Sequence, residues 1–406
     1  MHRETDRPAG LRQQNRAAVL RRLHLCGGAS RKQLSAMLSL TPAAMTKIAA
    51  ELIDDGLIAE SGPAGTGSVG RREILLSVRP DARCALGLWL GLGSAILSAV
   101  DLAGGVLFSE TVPLPVRAPA ADTVAALAAR LLALAERHGV ERARITGIGV
   151  AVRGVIDPDG RTVRRSFDVF DAQDVPVCAL IEGATGLPAV LSNNVRALSA
   201  AQMYLSREPR AGSVFFVRCG AGIGAALTVD GKILTGSRSQ CAEIGHIPVI
   251  RRGGKPCHCG KSGCLETVAS PTAIREDAQA ILSAERTPLL WQLCGGDREA
   301  VTTALVLDAA RGGDAGAAKI ADRAIEALAN ALKSVIYLID PAKIVLYGPI
   351  FEHPYYLSRL KAETDVGVDA AHAVRMEKSR FNDLLEDKAA GLLSAVQFLE
   401  NGGMMK

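Results

Sequence analysis

Three cysteines, Cys257, Cys259 and Cys264, fall within eight positions of this chain, in the run Lys255-Pro256-Cys257-His258-Cys259-Gly260-Lys261-Ser262-Gly263-Cys264. Three soft thiolates in one tight loop are a metal-binding set. Lys255-Pro256, Gly260 and Gly263 supply the turns that fold the loop back on itself. His246 lies eleven residues upstream of Cys257, with Gly253-Gly254 between them to return it to the thiols. Three thiolates and an imidazole make a closed tetrahedral set for Zn²⁺ with no open position, so the expected ion is structural and not a catalyst. His258 and Cys241 are the local alternatives for the fourth ligand. A redox pair is the rival reading of the thiols, but Cys-x-Cys with a third Cys and a nearby His fits a metal better. The other six cysteines are scattered and the total of nine is odd, so no disulfide framework is expected.

Residues suited to a polyanion lie at the opposite end. Residues 1–80 hold 12 Lys and Arg against 7 Asp and Glu, and the remaining 326 residues carry 35 of each, so the whole net charge of +5 sits in the first fifth of the chain. That distribution is expected of a segment facing nucleic acid. Asn15–Leu25 has apolar residues at helical spacing, stopped by Gly27-Gly28. Ser30 then reads as the cap of a helix over Arg31–Leu38, and Thr41-Pro42 starts a third: a capping hydroxyl, then proline where its missing N–H costs nothing. Met45, Ile48, Leu52 and Ile53 share one face of that third helix, which ends near Gly56. Two helices joined by three or four residues are a helix-turn-helix. Leu57–Glu60 and Glu73–Leu76 read as strands of a wing around a glycine-rich loop, whose tip ends in Gly70-Arg71-Arg72. Arg71 and Arg72 would meet phosphates or a narrow minor groove, and Thr41, Ala43, Ala44, Thr46 and Lys47 would face the major groove of double-stranded DNA. The alternative is a three-helix bundle whose hairpin binds protein.

The rest of the chain must position the thiol loop. Strand patterns at Ala85–Leu92, Ala95–Val100 and Val106–Pro113 are followed by a helix over Ala120–His138 and a buried-type strand at Ile145–Val152. A helix near Val175–Thr185 and a strand at Ala189–Leu191 lead to Ser192-Asn193-Asn194. A second round begins with Ser213–Arg218, enters Cys219-Gly220-Ala221-Gly222-Ile223-Gly224 and continues as a hairpin. It closes with an apolar helix over Ala324–Ile339 and a strand at Lys343–Tyr347. Two similar rounds of strands and helices predict an α/β body with two lobes. The expected division is 1–80 as the winged head, 81–200 as the first lobe, completed by a C-terminal helix at 385–400, and 201–384 as the second lobe with the thiol loop. Aromatics are only 4% of residues, so the core must be built mainly from Ala, Leu, Val and Ile. The charged N-terminus and the lack of any run of 18 uncharged apolar residues predict a cytoplasmic protein with no membrane span.

Ala242-Glu243-Ile244-Gly245-His246 with Cys257-His258-Cys259-Gly260-Lys261-Ser262-Gly263-Cys264-Leu265-Glu266-Thr267 resembles the signature of the ROK family of repressors, open reading frames and kinases. Leu40–Ile48 and Asp340-Pro341-Ala342-Lys343-Ile344-Val345-Leu346 resemble its repressor branch, of the Mlc/NagC type, and the likeness spans essentially the whole chain. The resemblance implies a winged helix-turn-helix followed by a two-lobed, actin-like sugar-kinase domain. It implies His246 as the fourth metal ligand, and Glu243, His246 and Glu266 as the residues that bind sugar hydroxyls. The alternative for either carboxylate is that it merely supports the metal ligands.

The family's kinases use an aspartate as general base in an Asn-Asp pair after a strand; the matching place here is Asn193-Asn194. A neutral amide cannot accept the sugar hydroxyl proton. The aspartate of the family's first phosphate loop is matched by Trp89. Only Cys219–Gly224 retains the look of a phosphate loop, so no enzyme activity is expected. Asn193 and Asn194 still offer donors and acceptors to a sugar or sugar phosphate. The reading is a repressor of carbohydrate genes, a homodimer or homotetramer on palindromic operator DNA, responding to a small effector. The alternatives are a sugar kinase with an added head, a regulator controlled by a partner protein, and a constitutive DNA binder.

Overall fold

Ser30 and Thr41 are the hinge points of the N-terminal head, because each caps a helix through its hydroxyl. In the computed structural model, which describes residues 7–63, 73–208, 212–366, 368–381 and 385–404, the head runs α1 (Arg7–Cys26), β1 (Ala29–Ser30), α2 (Arg31–Leu38), α3 (Pro42–Asp54), β2 (Ile58–Pro63) and β3 (Ile74–Val78). Ser30 accepts from the Gln33 N–H while the Gln33 side chain reaches back to the Ser30 N–H, a reciprocal capping box. Thr41 accepts from the Ala44 N–H, and Pro42 occupies the first turn. Helices α2 and α3 meet at 117°, within the range of a helix-turn-helix. The three short strands pair in the order β1-β3-β2, giving the winged arrangement. Met45, Ile48, Ala49 and Leu52 of α3 are buried, whereas Ile53 is only partly so. Helix α1 starts at Arg7, eight residues before the expected start, because its first turns have no apolar stripe to signal them. The wing tip, with Arg71 and Arg72, lies outside the described residues.

The chain forms two compact units, residues 1–209 with 384–406, and residues 210–383. After the head, the first contains β4 (Cys84–Leu90), β5 (Ser94–Asp101), β6 (Val106–Pro113), α4 (Ala120–Arg137), β7 (Ile145–Val152), β8 (Gly154–Ile156), β9 (Val163–Ser166), α5 (Val177–Thr185), β10 (Ala189–Asn193) and α6 (Asn194–Ser206). Its sheet has the order β10-β7-β4-β5-β6, with β4-β5-β6 an antiparallel meander and β7 and β10 added in parallel. The C-terminal helix, Leu385–Glu400, returns to lie on this sheet. It can lie close because the sheet is bare where they meet: a Cβ on Gly149 would come within 1.7 Å of the Ala390 carbonyl oxygen, and one on Gly87 within 2.6 Å of the Gly391 nitrogen.

The second unit holds β11 (Ser213–Cys219), β12 (Ile223–Val229), β13 (Lys232–Ile233), α7 (Glu266–Ala269), α8 (Pro271–Ile281), α9 (Pro288–Leu293), α10 (Thr303–Arg311), α11 (Ala315–Ile339), β14 (Lys343–Tyr347), α12 (Pro354–Asp365) and β15 (Arg375–Lys378). Its sheet order, β13-β12-β11-β14-β15, repeats that of the first: an antiparallel meander with two parallel strands added to its first strand. The body is thus α/β with two lobes of one topology. Phe215, Val217, Leu328, Leu332, Phe351 and Tyr356 sit in the centre of the second core. Among the described residues no single helix is long and apolar enough to cross a membrane.

Candidate metal centre and effector site

Backbone pairing brings the four expected metal ligands together. The segment after His246 pairs with the end of the thiol loop: the Val249 and Ile250 N–H groups donate to the Gly263 carbonyl at 2.8 and 3.0 Å, and the Leu265 N–H donates to the Ile247 carbonyl at 2.9 Å. The loop closes through Cys257 N–H to the Lys261 carbonyl (2.8 Å) and Gly260 N–H to the Cys257 carbonyl (2.9 Å). Gly263 has a φ of +75°, and a Cβ there would lie 2.1 Å from the Ile250 carbonyl oxygen, so only glycine lets the two segments meet. As a result one donor atom each from His246, Cys257, Cys259 and Cys264 lies within 4.8 Å of every other. His246 Nδ1 is 3.6 Å from Cys257 Sγ, and Cys259 Sγ is 3.6 Å from Cys264 Sγ. This cluster could hold a metal ion. Burial pushes the Cys257 thiol up to about 12. Burial acts on Cys259 in the same sense, but the Lys261 N–H and hydrogen bonds from Cys257 and Cys264 outweigh it and hold that thiol below its usual range.

His258 pairs with Glu266, its Nδ1 3.0 Å from the carboxylate. That pairing was not legible in the sequence, which offered His258 only as an alternative ligand. Glu266 is a junction: Oε1 faces His258 and lies 3.7 Å from Cys257 Sγ, while Oε2 accepts the Ile223 N–H of the glycine-rich loop at 3.1 Å. The approach is close enough that a Cβ on Gly222 would be 2.0 Å from Oε2. Burial would raise the Glu266 pKa, but the His258 hydrogen bond and the charges of His258 and His246 lower it on balance, leaving a carboxylate. His246, His258 and Glu266 converge within 4.8 Å. Glu243 belongs to neither cluster; it stands exposed before the short 3-10 turn Ile244–His246.

The two amides belong to the first unit. Asn193 ends β10 and caps α6: its Oδ1 accepts from the Val195 and Arg196 N–H groups, and its Nδ2 donates to the Gly154 carbonyl at 2.9 Å. Its side chain is therefore already engaged in holding strand, helix and the start of β8 together. Asn194 follows, buried, as the first residue of α6. Trp89 is buried in β4, where it pairs with Ile96 and Ala151. On α3, Thr41, Ala43, Thr46 and Lys47 are exposed and Ala44 is half-buried. The Thr46 hydroxyl donates to the Pro42 carbonyl at 2.8 Å, which leaves its oxygen as an acceptor at the surface.

These features define a class: a sugar-kinase-like body of two matched lobes carrying a winged helix-turn-helix. The chain belongs to the ROK family, whose sequence pattern matches residues 85–395. It is 30% identical over 346 residues to the DNA-binding transcriptional dual regulator NagC of Escherichia coli K12, covering 84% of this chain and 82% of that protein. It is also 31% identical over 215 residues to a glucokinase of Halalkalibacterium halodurans, covering 52% of this chain and 64% of the kinase. A crystal structure of a ROK family transcriptional regulator, a homologue of the E. coli Mlc protein, superposes with a TM-score of 0.79 at 25% identity, covering 97% of this chain and 98% of that one.

Proposed function

We propose that the protein is a sugar-responsive transcription repressor of carbohydrate-metabolism genes. The observation that carries this reading is a head whose α3 presents Thr41, Ala43, Thr46 and Lys47 to solvent, in a chain similar along most of its length to a DNA-binding regulator. In this reading α3, with Ala44 at its margin, enters the major groove of double-stranded operator DNA, and Arg71 and Arg72 of the wing meet the backbone or minor groove. Two heads of a homodimer or homotetramer take half-sites about one helical turn, or a multiple of it, apart. Operator binding places its work in the cytoplasm. Asn193, Asn194, Glu243, His246 and Glu266 are the candidate contacts of a sugar or sugar phosphate effector. Effector binding acts by having unequal affinity for the DNA-competent and DNA-incompetent forms.

The metal we assign is Zn²⁺, held by His246, Cys257, Cys259 and Cys264. Zn–S and Zn–N bonds of about 2.3 and 2.0–2.1 Å in a tetrahedron put ligand atoms roughly 3.5–3.8 Å apart, and the two 3.6 Å separations above fit that spacing. Zinc here fixes the loop that carries His258 and Glu266.

The body is not a kinase in this reading, because Asn194 and Trp89 replace the two aspartates that the family's kinases use. The similarity to a glucokinase favours the contrary reading, and an ATP-coupled assay with glucose and N-acetylglucosamine decides it: measurable turnover would reject ours. The central test is fluorescence anisotropy with DNA from upstream of the protein's own gene, with and without glucose, N-acetylglucosamine and their 6-phosphates. We expect a sequence-specific complex that one of these sugars weakens. Lys47→Ala should weaken binding and lower the slope of log K against log salt by about 1. No specific complex at low salt would end the proposal.

A further inference from the structure

Helix α6 is buried on nearly every side, with Asn194, Val195, Arg196, Ala197, Leu198, Ser199, Ala201, Gln202 and Tyr204 all enclosed. Thirteen residues make a rod about 20 Å long, which cannot bend locally without disturbing packing along its length. Its first turn is set by Asn193, which bonds the Val195 and Arg196 N–H groups and the Gly154 carbonyl. Its last turn meets the head. The Tyr204 ring stacks on that of His24 with centroids 3.8 Å apart and planes 26° apart. His24 Nε2–H donates to the Tyr204 carbonyl at 2.9 Å, and the Tyr204 hydroxyl donates to the Leu102 carbonyl. Both rings are nearly enclosed, Tyr204 3% and His24 5% exposed. His24 belongs to the last turn of α1, which packs on α2 and α3. Beside His24 a small pocket of about 40 Å³, half open to solvent, is lined by His24, Leu23, Gly27, Val78, Leu102 and Arg207 among others.

We propose that Tyr204 and His24 are the positioning residues that couple the Asn193–Asn194 end of α6 to the DNA-binding head. A change at the first turn moves α6 as a body, the stack passes that displacement to α1, and α1 carries it to α3. The inference rests on the reading of Asn193–Asn194 as effector contacts and of the head as the DNA binder.

Because coupling is reciprocal, DNA bound at the head must be felt at the far end of α6. The test is amide hydrogen exchange of the full-length protein with and without the upstream DNA, read at Val195 and Arg196. Wild type should change its exchange rate there by about threefold or more on binding DNA. Tyr204→Leu should bind DNA within about threefold of wild type yet lose the response, and Tyr204→Phe, which keeps the ring, should retain it. If Tyr204→Leu does not fold by circular dichroism, His24→Leu breaks the same stack from the other side and carries the same expectation. DNA binding with no response in wild type, or a response that survives in the folded leucine variant, overturns the coupling role alone. Failure of wild type to bind the DNA overturns both this inference and the functional reading beneath it.

Discussion

The cysteines differ in chemistry with their surroundings, and the difference is measurable. Burial raises the thiols of Cys84 and Cys178 to about 11 and that of Cys219 to about 12, so thiolate is scarce at neutral pH, whereas Cys26 is exposed. Iodoacetamide at pH 8 should modify Cys26 in the folded protein and reach Cys84, Cys178 and Cys219 only after denaturation, read by mass spectrometry of tryptic peptides. The metal loop should behave as a third case. The purified protein should carry one zinc per chain by elemental analysis, and Cys264→Ser should lose it and lower Tm by on the order of 5–10 °C. A further residue-scale expectation concerns Glu377. Burial alone would raise its pKa, but Lys343, 3.0 Å away, and Arg375 outweigh that and hold it below its ordinary 4.5. The stabilisation is therefore complete above about pH 4.5 and is lost as pH falls through the lower, folded value. Urea titrations at pH 6 and pH 3 should show Glu377→Gln losing less stability than wild type over that interval. The convergence of His246 with the three thiols was legible in the sequence because Cys257–Cys264 is local and its glycines announce the turns. The His258–Glu266 pair was not, since it depends on a packing of the loop against α7 and the glycine-rich strand connection that no spacing encodes.

Helix ends were legible where a side chain announces them. The sequence marks Ser30 and Thr41 as caps, and they cap α2 and α3 in the structure. Helix α6 was not legible, for a physical reason: its enclosed residues include polar Asn194, Arg196, Ser199 and Gln202, so polarity along the sequence does not mark which face is buried. The capping and bridging role of Asn193 was not legible either, because its partner Gly154 is 39 residues away. Asn193→Ala removes a cap and leaves the Gly154 carbonyl without that donor, and should cost about 2 kcal/mol in urea denaturation. Gly149→Ala is expected to be harsher. The added methyl has the Ala390 carbonyl oxygen 1.7 Å away, so the C-terminal helix must lift off the sheet. We expect a loss of about 3 kcal/mol or more, with the C-terminal peptide the first to become sensitive to protease.

At the scale of the molecule, the two sheets of matching order agree with the two rounds read in the sequence, but the tie between head and C-terminus was invisible there. Arg16 is 4% exposed and pairs with Glu51 and Asp55 of the α3 end, while its Nε–H donates to the Gly402 carbonyl at 2.9 Å; Gln13 donates to the Asn401 carbonyl at 3.2 Å. These bonds span 386 and 388 residues, a separation over which no local pattern can speak. Arg16→Ala should destabilise the head by about 2–3 kcal/mol, seen as faster hydrogen exchange in α1 and α3 with little change in β11–β15.

The same tie bears on how the protein is made. The head is synthesised well before residues 385–402, yet Arg16 finds its carbonyl partner, and the first sheet its covering helix, only once that segment has been translated. A chain cut before residue 385 therefore lacks the support that seats α1 and α3, so the head is fully braced only after that distant segment has been made.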